Sequence, residues 1–281
     1  MESREAELER ARDLDVAALA DAIEAIGFEC TRCGGCCTGY APDEPGGAPA
    51  GEGVDEAGSD GADEGADEAG SDGADEGPSG DPTGCHDKVE REPHTATVFP
   101  DEVRAVADAA EERFDEAYDW RDVARPMPYG LVEGDDGEPA GETFEWALAT
   151  DDCGDCTFYE ETDGQGACTV HDARPLICRT YPFSVALGGT SQPMGEAVDA
   201  EGLVRAHECE GLGRDIDRAD AEALAEALKE RAVRELREAI GVRDGYDPTA
   251  SARAGGAVVF DSEGPKRVDG TPVDGGDSDG D

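Results

Sequence analysis

"FECTRCGGCC", residues 28–37, places Cys30, Cys33, Cys36 and Cys37 within eight positions. The spacing is C-x-x-C-x-x-C-C, and it decides how the rest of the chain is read. Such a run lets a chain wrap one metal centre with its backbone amides turned toward the sulfurs. Gly34 and Gly35 permit the tight turns that this wrap needs. Cys37 is the awkward member, because neighbouring residues rarely aim both side chains at one tetrahedral ion. It either reaches a second centre or is a spare thiol.

Six more cysteines follow, Cys85, Cys153, Cys156, Cys168, Cys178 and Cys209. The C-x-x-C-G-x-C part of the first run is like the spacing in bacterial ferredoxins, but their fourth ligand, a nearby Cys-Pro, is absent. The missing ligands must therefore come from far along the chain. Cys156, Cys168, Cys178 and Cys209 are the candidates.

Composition narrows the setting. The 281 residues, one or two domains' worth, carry 70 acidic against 23 basic side chains, a formal net charge of −47. Only Lys88, Lys229 and Lys266 are lysines. In ordinary buffer this charge opposes compaction. At molar salt the Debye length falls to about 3 Å and the repulsion is screened. We therefore expect a salt-rich cytoplasm such as that of halophilic archaea. The charge argues against nucleic acid or an anionic membrane as partner. The N-terminus MESREAELERARDLD has no signal-peptide pattern, and no apolar run approaches the roughly 20 residues of a membrane span. Cysteines in a reducing compartment then point to metal or redox chemistry rather than to disulfides.

Along the chain, Val16, Leu19, Ala20, Ile23 and Ile26 keep one helical face after Asp15, a fair N-cap, with Gly27 as the stop. Residues 1–40 are this helix and the first cysteine motif. Residues 41–84 differ in kind. DEAGSDGADEGA at 55–66 is followed directly by DEAGSDGADEGP at 67–78, and the stretch lacks aromatics. It cannot bury enough apolar surface to offset its ordering entropy, so disorder is expected. Residues 85–243 are the remainder of the cysteine domain. A strand and then a helix opened by Pro100 are expected over 94–114, and a strand over 142–150. A hairpin over 156–171 should carry Cys156 and Cys168 on its arms. A helical turn within 174–183, closed before Pro182, carries Cys178. A strong helix covers Asp217–Ile240 and ends at Gly241. From 244 to 281 a loose acidic tail is expected. The fold class is α+β, a small irregular cysteine-rich metal-binding domain with N- and C-terminal helices.

Together, Phe28, Cys30, Cys33, Cys36, Cys37, then Cys156, Phe158, Cys168, His171, Arg174, Pro175, Cys178, Arg179, Tyr181, Pro182, Phe183 and finally Cys209 form a specific signature. It resembles the CxxCxxCC cysteine-cluster family, described as zinc- or iron-chelating and often called Fe–S-cluster proteins. The resemblance spans about 28 to 212 apart from the acidic insert, which separates the first motif from the rest more widely than usual. It implies a metal centre on Cys30, Cys33, Cys36, Cys37, Cys156, Cys168, Cys178 and Cys209. Flagellin lysine methylases have a similar cysteine cluster, an analogy only.

Each residue also has a plainer reading. The eight motif cysteines would otherwise be buried apolar thiols, which their spacing disfavours. Cys85, beside His86, reads as an exposed, unliganded residue more readily than as a ligand. Cys153 forms its own C-x-x-C with Cys156 and is evenly balanced. His171 suits a packing role better than ligation, because thiols already abound. His94 and His207 read as surface residues. Arg174 and Arg179 flank Cys178 and would offset thiolate charge or simply pair with carboxylates; Tyr181 stands beside them. No nucleotide loop and no Ser/His/Asp set is present. The expected function is metal binding, with an iron–sulfur cluster favoured over zinc. The alternative is an Fe–S-dependent redox or protein-modifying enzyme, and no named reaction follows from the sequence.

Overall fold

The computed structural model describes residues 3–40, 92–134, 137–163, 165–188 and 195–273. The acidic insert at 41–84, and Cys85 with it, lies outside the described residues. The architecture is α+β, as expected. No helix among the described residues is long and apolar enough to cross a membrane.

The chain opens with α1, Arg4–Arg12, capped by Ser3. Its polar sequence hides it from a periodicity reading, yet Leu8 and Ala11 are buried. Helix α2, Val16–Ile26, starts where expected, with the Asp15 carboxylate accepting from Ala17 N at 2.9 Å. It ends at Gly27, whose φ of 76° suits glycine. A Cβ there would also stand 2.2 Å from the Arg214 carbonyl oxygen.

Strand β1, Thr97–Val98, precedes α3, Pro100–Phe114, with proline in the first turn. Glu102 in that turn accepts from Phe99 N at 3.1 Å and from Leu176 N at 2.9 Å. One carboxylate thus ties the start of α3 to the segment that carries Cys178. Then come α4 (Trp120–Val123), β2 (Ala124–Pro126), β3 (Leu131–Glu133), β4 (Pro139–Thr143) and β5 (Trp146–Leu148). The single strand expected over 142–150 is two strands in different sheets, β4 beside β3 and β5 between β1 and β2. The break falls at Phe144 and Glu145, both exposed.

The expected hairpin is β6 (Tyr159–Thr162) with β7 (Gln165–Cys168), pairing Tyr159 with Cys168. Cys156 stands just before it, in an isolated bridge to Thr150, rather than on its arm. Helix α5, Leu176–Thr180, closes before Pro182 as expected. A third sheet, ordered β8-β10-β9, comprises β8 (Phe183–Val185), β9 (Glu196–Ala197) and β10 (Val204–Ala206).

Helix α6, Arg218–Gly245, runs through Gly241 instead of stopping there. A Cβ at Gly241 would stand 2.6 Å from Ser262 Cβ, so the glycine marks a close approach and not an end. Residues 244–273 are not the loose tail expected. Helix α7 (Ala250–Ala254) leads to β11 (Ala257–Asp261) and β12 (Gly264–Arg267), and every residue of β11 is buried. The apolar run Val258–Phe260 explains this, since β11 pairs parallel with β4 inside a sheet.

Three hydrophobic clusters pack the described residues, the smallest being Ala250, Val258, Phe260 and Val273 around α7 and β11. In the first, α1 and α2 lie on α6, with Leu19, Ile23, Leu228 and Leu236 buried against Phe183 and Val204. Ala221 and Ala225 are fully buried, and these small residues let the helices approach. The second gathers Val103, Val106, Trp146 and Leu148 with Cys156 and Phe158. The candidate site lies where its thiol edge meets the 28–40 loop.

Candidate metal centre

The first cysteine loop is held by backbone contacts to distant segments, among them a two-way pairing of Tyr40 with Glu92 at its end. At its start, Glu29 N donates to Gly211 O at 3.0 Å, and Phe28 meets Phe183 edge-on at 5.7 Å. This draws in the turn that carries Cys209. In the middle, Gly34 has φ 80°, and its carbonyl accepts from Cys37 N at 2.7 Å and Thr38 N at 3.1 Å. A Cβ on Gly34 would stand 2.2 Å from the Tyr159 hydroxyl, so only glycine fits against the hairpin. Gly166 N donates to Arg32 O at 2.8 Å, which sets β7 and Cys168 under the loop. At its end, Cys156 N donates to Cys37 O at 2.8 Å, and Gly39 N donates to an Asp155 carboxylate oxygen at 2.7 Å.

These ties bring all eight motif cysteines, together with His171, Arg174, Arg179 and Tyr181, to the wall of one cavity of about 1190 Å³. Cys30, Cys33, Cys36, Cys37, Cys156, Cys168, Cys178 and Cys209 are free thiols. Cys30 and Cys33 are exposed, Cys156 is buried, and the others are intermediate. Cys36 and Cys37, expected to diverge as neighbours, have their sulfurs 3.8 Å apart. Cys209 Sγ accepts from Gly211 N at 3.4 Å. Among the described residues, no three His, Cys, Asp or Glu side chains are drawn close enough to hold an ion. The thiols share a chamber without forming a closed shell.

Electrostatics follows from the crowding. Hydrogen bonding to Cys37 brings the Cys36 thiol down to about 7, with help from the Arg174 guanidinium. The same contact, and burial, push Cys37 up. Burial is the main cause that raises Cys156, to about 11, and Cys168, Cys178 and Cys209, with charge from neighbouring thiols adding to it. Arg174 opposes the rise at Cys168 and Cys178. Buried sulfurs that disfavour one another's charge suit a soft cation, which stabilises the thiolate form. By donor chemistry the residues fit a thiolate-bound zinc, iron or cluster.

Other expectations fare differently. Cys153 is disulfide-bonded and so is not among the free thiols. His171 lines the cavity but is exposed, with Nδ1 3.4 Å from Asp172. His207, read as a surface residue, is intermediate in burial and meets Tyr181 edge-on at 6.0 Å. Tyr181 donates its hydroxyl to Glu208 O at 3.0 Å.

The larger correction is His94, also read as a surface residue. It is only 2% exposed and lines the thiol cavity. Its Nε2 stands 2.8 Å from the Cys36 carbonyl oxygen, and burial lowers its pKa, which keeps the ring neutral. Nothing local in the sequence separates this histidine from an exposed one. Its role depends on a contact across the acidic insert.

Residues 85–210 match the CxxCxxCC family, whose description reads "Putative zinc- or iron-chelating domain". The match begins after the first cysteine loop, which the backbone contacts above attach to it. No curated protein and no solved structure matches the chain.

Proposed function

We propose, from the premise that residues 85–210 are a CxxCxxCC domain, that the shared chamber binds an iron–sulfur cluster through thiols from both parts of the chain. The observation that carries this reading is one cavity lined by all eight free thiols among the described residues. The ligands would come from Cys30, Cys33, Cys36 and Cys37 on the loop, and from Cys156, Cys168, Cys178 and Cys209 beyond the insert. Two features favour a cluster over one zinc ion. The donor set exceeds the four thiolates that complete a structural zinc shell. Such a shell built on Cys153, Cys156, Cys168 and Cys178 would need Cys153, which is disulfide-bonded. A bound cluster would supply one-electron chemistry.

The chain's own part is to gather and orient donors. The Gly34 turn wraps the loop, the hairpin supports it, and Arg174 offsets negative charge. Metal and sulfide analysis of protein purified without oxygen tests the reading. Iron with matching acid-labile sulfide and a brown colour are expected. Colourless protein holding zinc alone would overturn the cluster in favour of zinc, and protein that binds neither would overturn metal binding itself.

A further inference from the structure

We propose that His94 is a nitrogen donor to the metal in this chamber, through Nδ1. The inference rests on the metal reading above and adds to it a residue that no cysteine motif contains.

The backbone of His94 is held on both sides, and its ring by one contact. His94 N donates to Gly154 O at 2.8 Å, and His94 O accepts from Arg125 at 2.6 Å. Nε2 lies 2.8 Å from the carbonyl oxygen of Cys36. A carbonyl only accepts, so in the neutral ring the proton sits on Nε2, and Nδ1 keeps a bare lone pair. That nitrogen is buried and, among the described residues, has no hydrogen-bond partner. A buried acceptor with no donor is rare in a folded protein and calls for a cause.

A metal explains both nitrogens at once. Histidine ligands almost always donate their second ring N–H to a carboxylate, a backbone carbonyl or water, which fixes the tautomer and strengthens the donor nitrogen. His94 has that arrangement already, and the carbonyl belongs to Cys36, a thiol of the same chamber. Imidazole is compatible with zinc and with iron alike, so the proposal does not depend on which is bound.

X-ray absorption at the edge of the bound metal, on the full metal-loaded chain, tests this. The wild-type spectrum should show imidazole scattering beside sulfur. His94→Gln keeps an amide N–H where Nε2–H stands but has no ring nitrogen at Nδ1. It should lose that scattering and bind metal about 10–100-fold more weakly, the scale on which even outer-shell partners act. His171→Gln and His207→Gln, on the same cavity wall, should keep the signal. A wild-type spectrum with sulfur alone would overturn the role of His94 and leave the metal reading standing. So would an unchanged His94→Gln, or a signal that follows His171 or His207. Wild-type protein that takes up no metal would overturn both.

Discussion

Two parts of this molecule gather charged or reactive groups, and they handle them in opposite ways. In the C-terminal hairpin, Asp261 is 1% exposed and Lys266 is 5% exposed. Lys266 Nζ donates to Asp261 at 2.6 Å and to Glu263 at 2.7 Å, and Trp146 Nε1 donates to Asp261 at 2.9 Å. Every partner is supplied by the chain. In the thiol chamber, backbone contacts fix the walls, but the sulfurs are left with few partners of their own. The hairpin is complete as folded protein. On the reading proposed above, the chamber is completed by a metal.

The hairpin offers the largest test of this contrast. Removing one member of a buried ion pair strands the other, at a cost of about 3–5 kcal/mol. Lys266→Met should therefore lower unfolding free energy strongly in denaturant titration while metal content per folded molecule stays unchanged. Metal loss in the folded variant would mean that the two regions are not independent.

Gly34→Ala should do the reverse. The added methyl meets the Tyr159 hydroxyl at 2.2 Å, at a φ of 80°. Such strain costs about 1–3 kcal/mol and falls on the loop. We expect metal affinity, measured by competition with a chelator, to fall more than global stability.

The smallest effect concerns pH. Hydrogen bonding to Arg104 holds the Glu263 carboxyl at about 2, below its ordinary 4.5. A depressed carboxylate adds stability that is present above 4.5 and lost as pH falls toward 2. The side chains of Arg104 and Glu263 are 52% and 42% exposed, so solvent should limit the effect to below about 1 kcal/mol. Glu263→Gln should flatten that part of the stability profile without touching metal content.

The same contrast explains what was legible in the sequence. Helices α2 and α3, the β6–β7 hairpin and α5 rest on local rules of capping, proline and turn chemistry, and they stand where those rules put them, except that the hairpin is shorter and leaves Cys156 off its arm. Helix α1 escaped because Arg4–Arg12 has almost no apolar residues to set a period. Gly241 and the strand over 142–150 misled because long-range packing, against Ser262 and between two sheets, overrides local preference. The buried strand β11 was hidden inside an acidic, glycine-rich tail. In the site, cysteine spacing singled out all eight thiols now found on one cavity. His94 was lost because only its distance to Cys36 gives it meaning.

The account's central claim is that thiols from both sides of the insert serve one centre. Metal equivalents per chain, measured on anaerobically prepared Cys33→Ala, Cys178→Ala and the double variant, test it most directly. Shared ligation predicts that each single change depletes the same metal and that the double change removes little more, a strongly non-additive pattern. If each substitution instead removed its own equivalent and the losses added, there would be two separate sites, and the shared centre would be wrong.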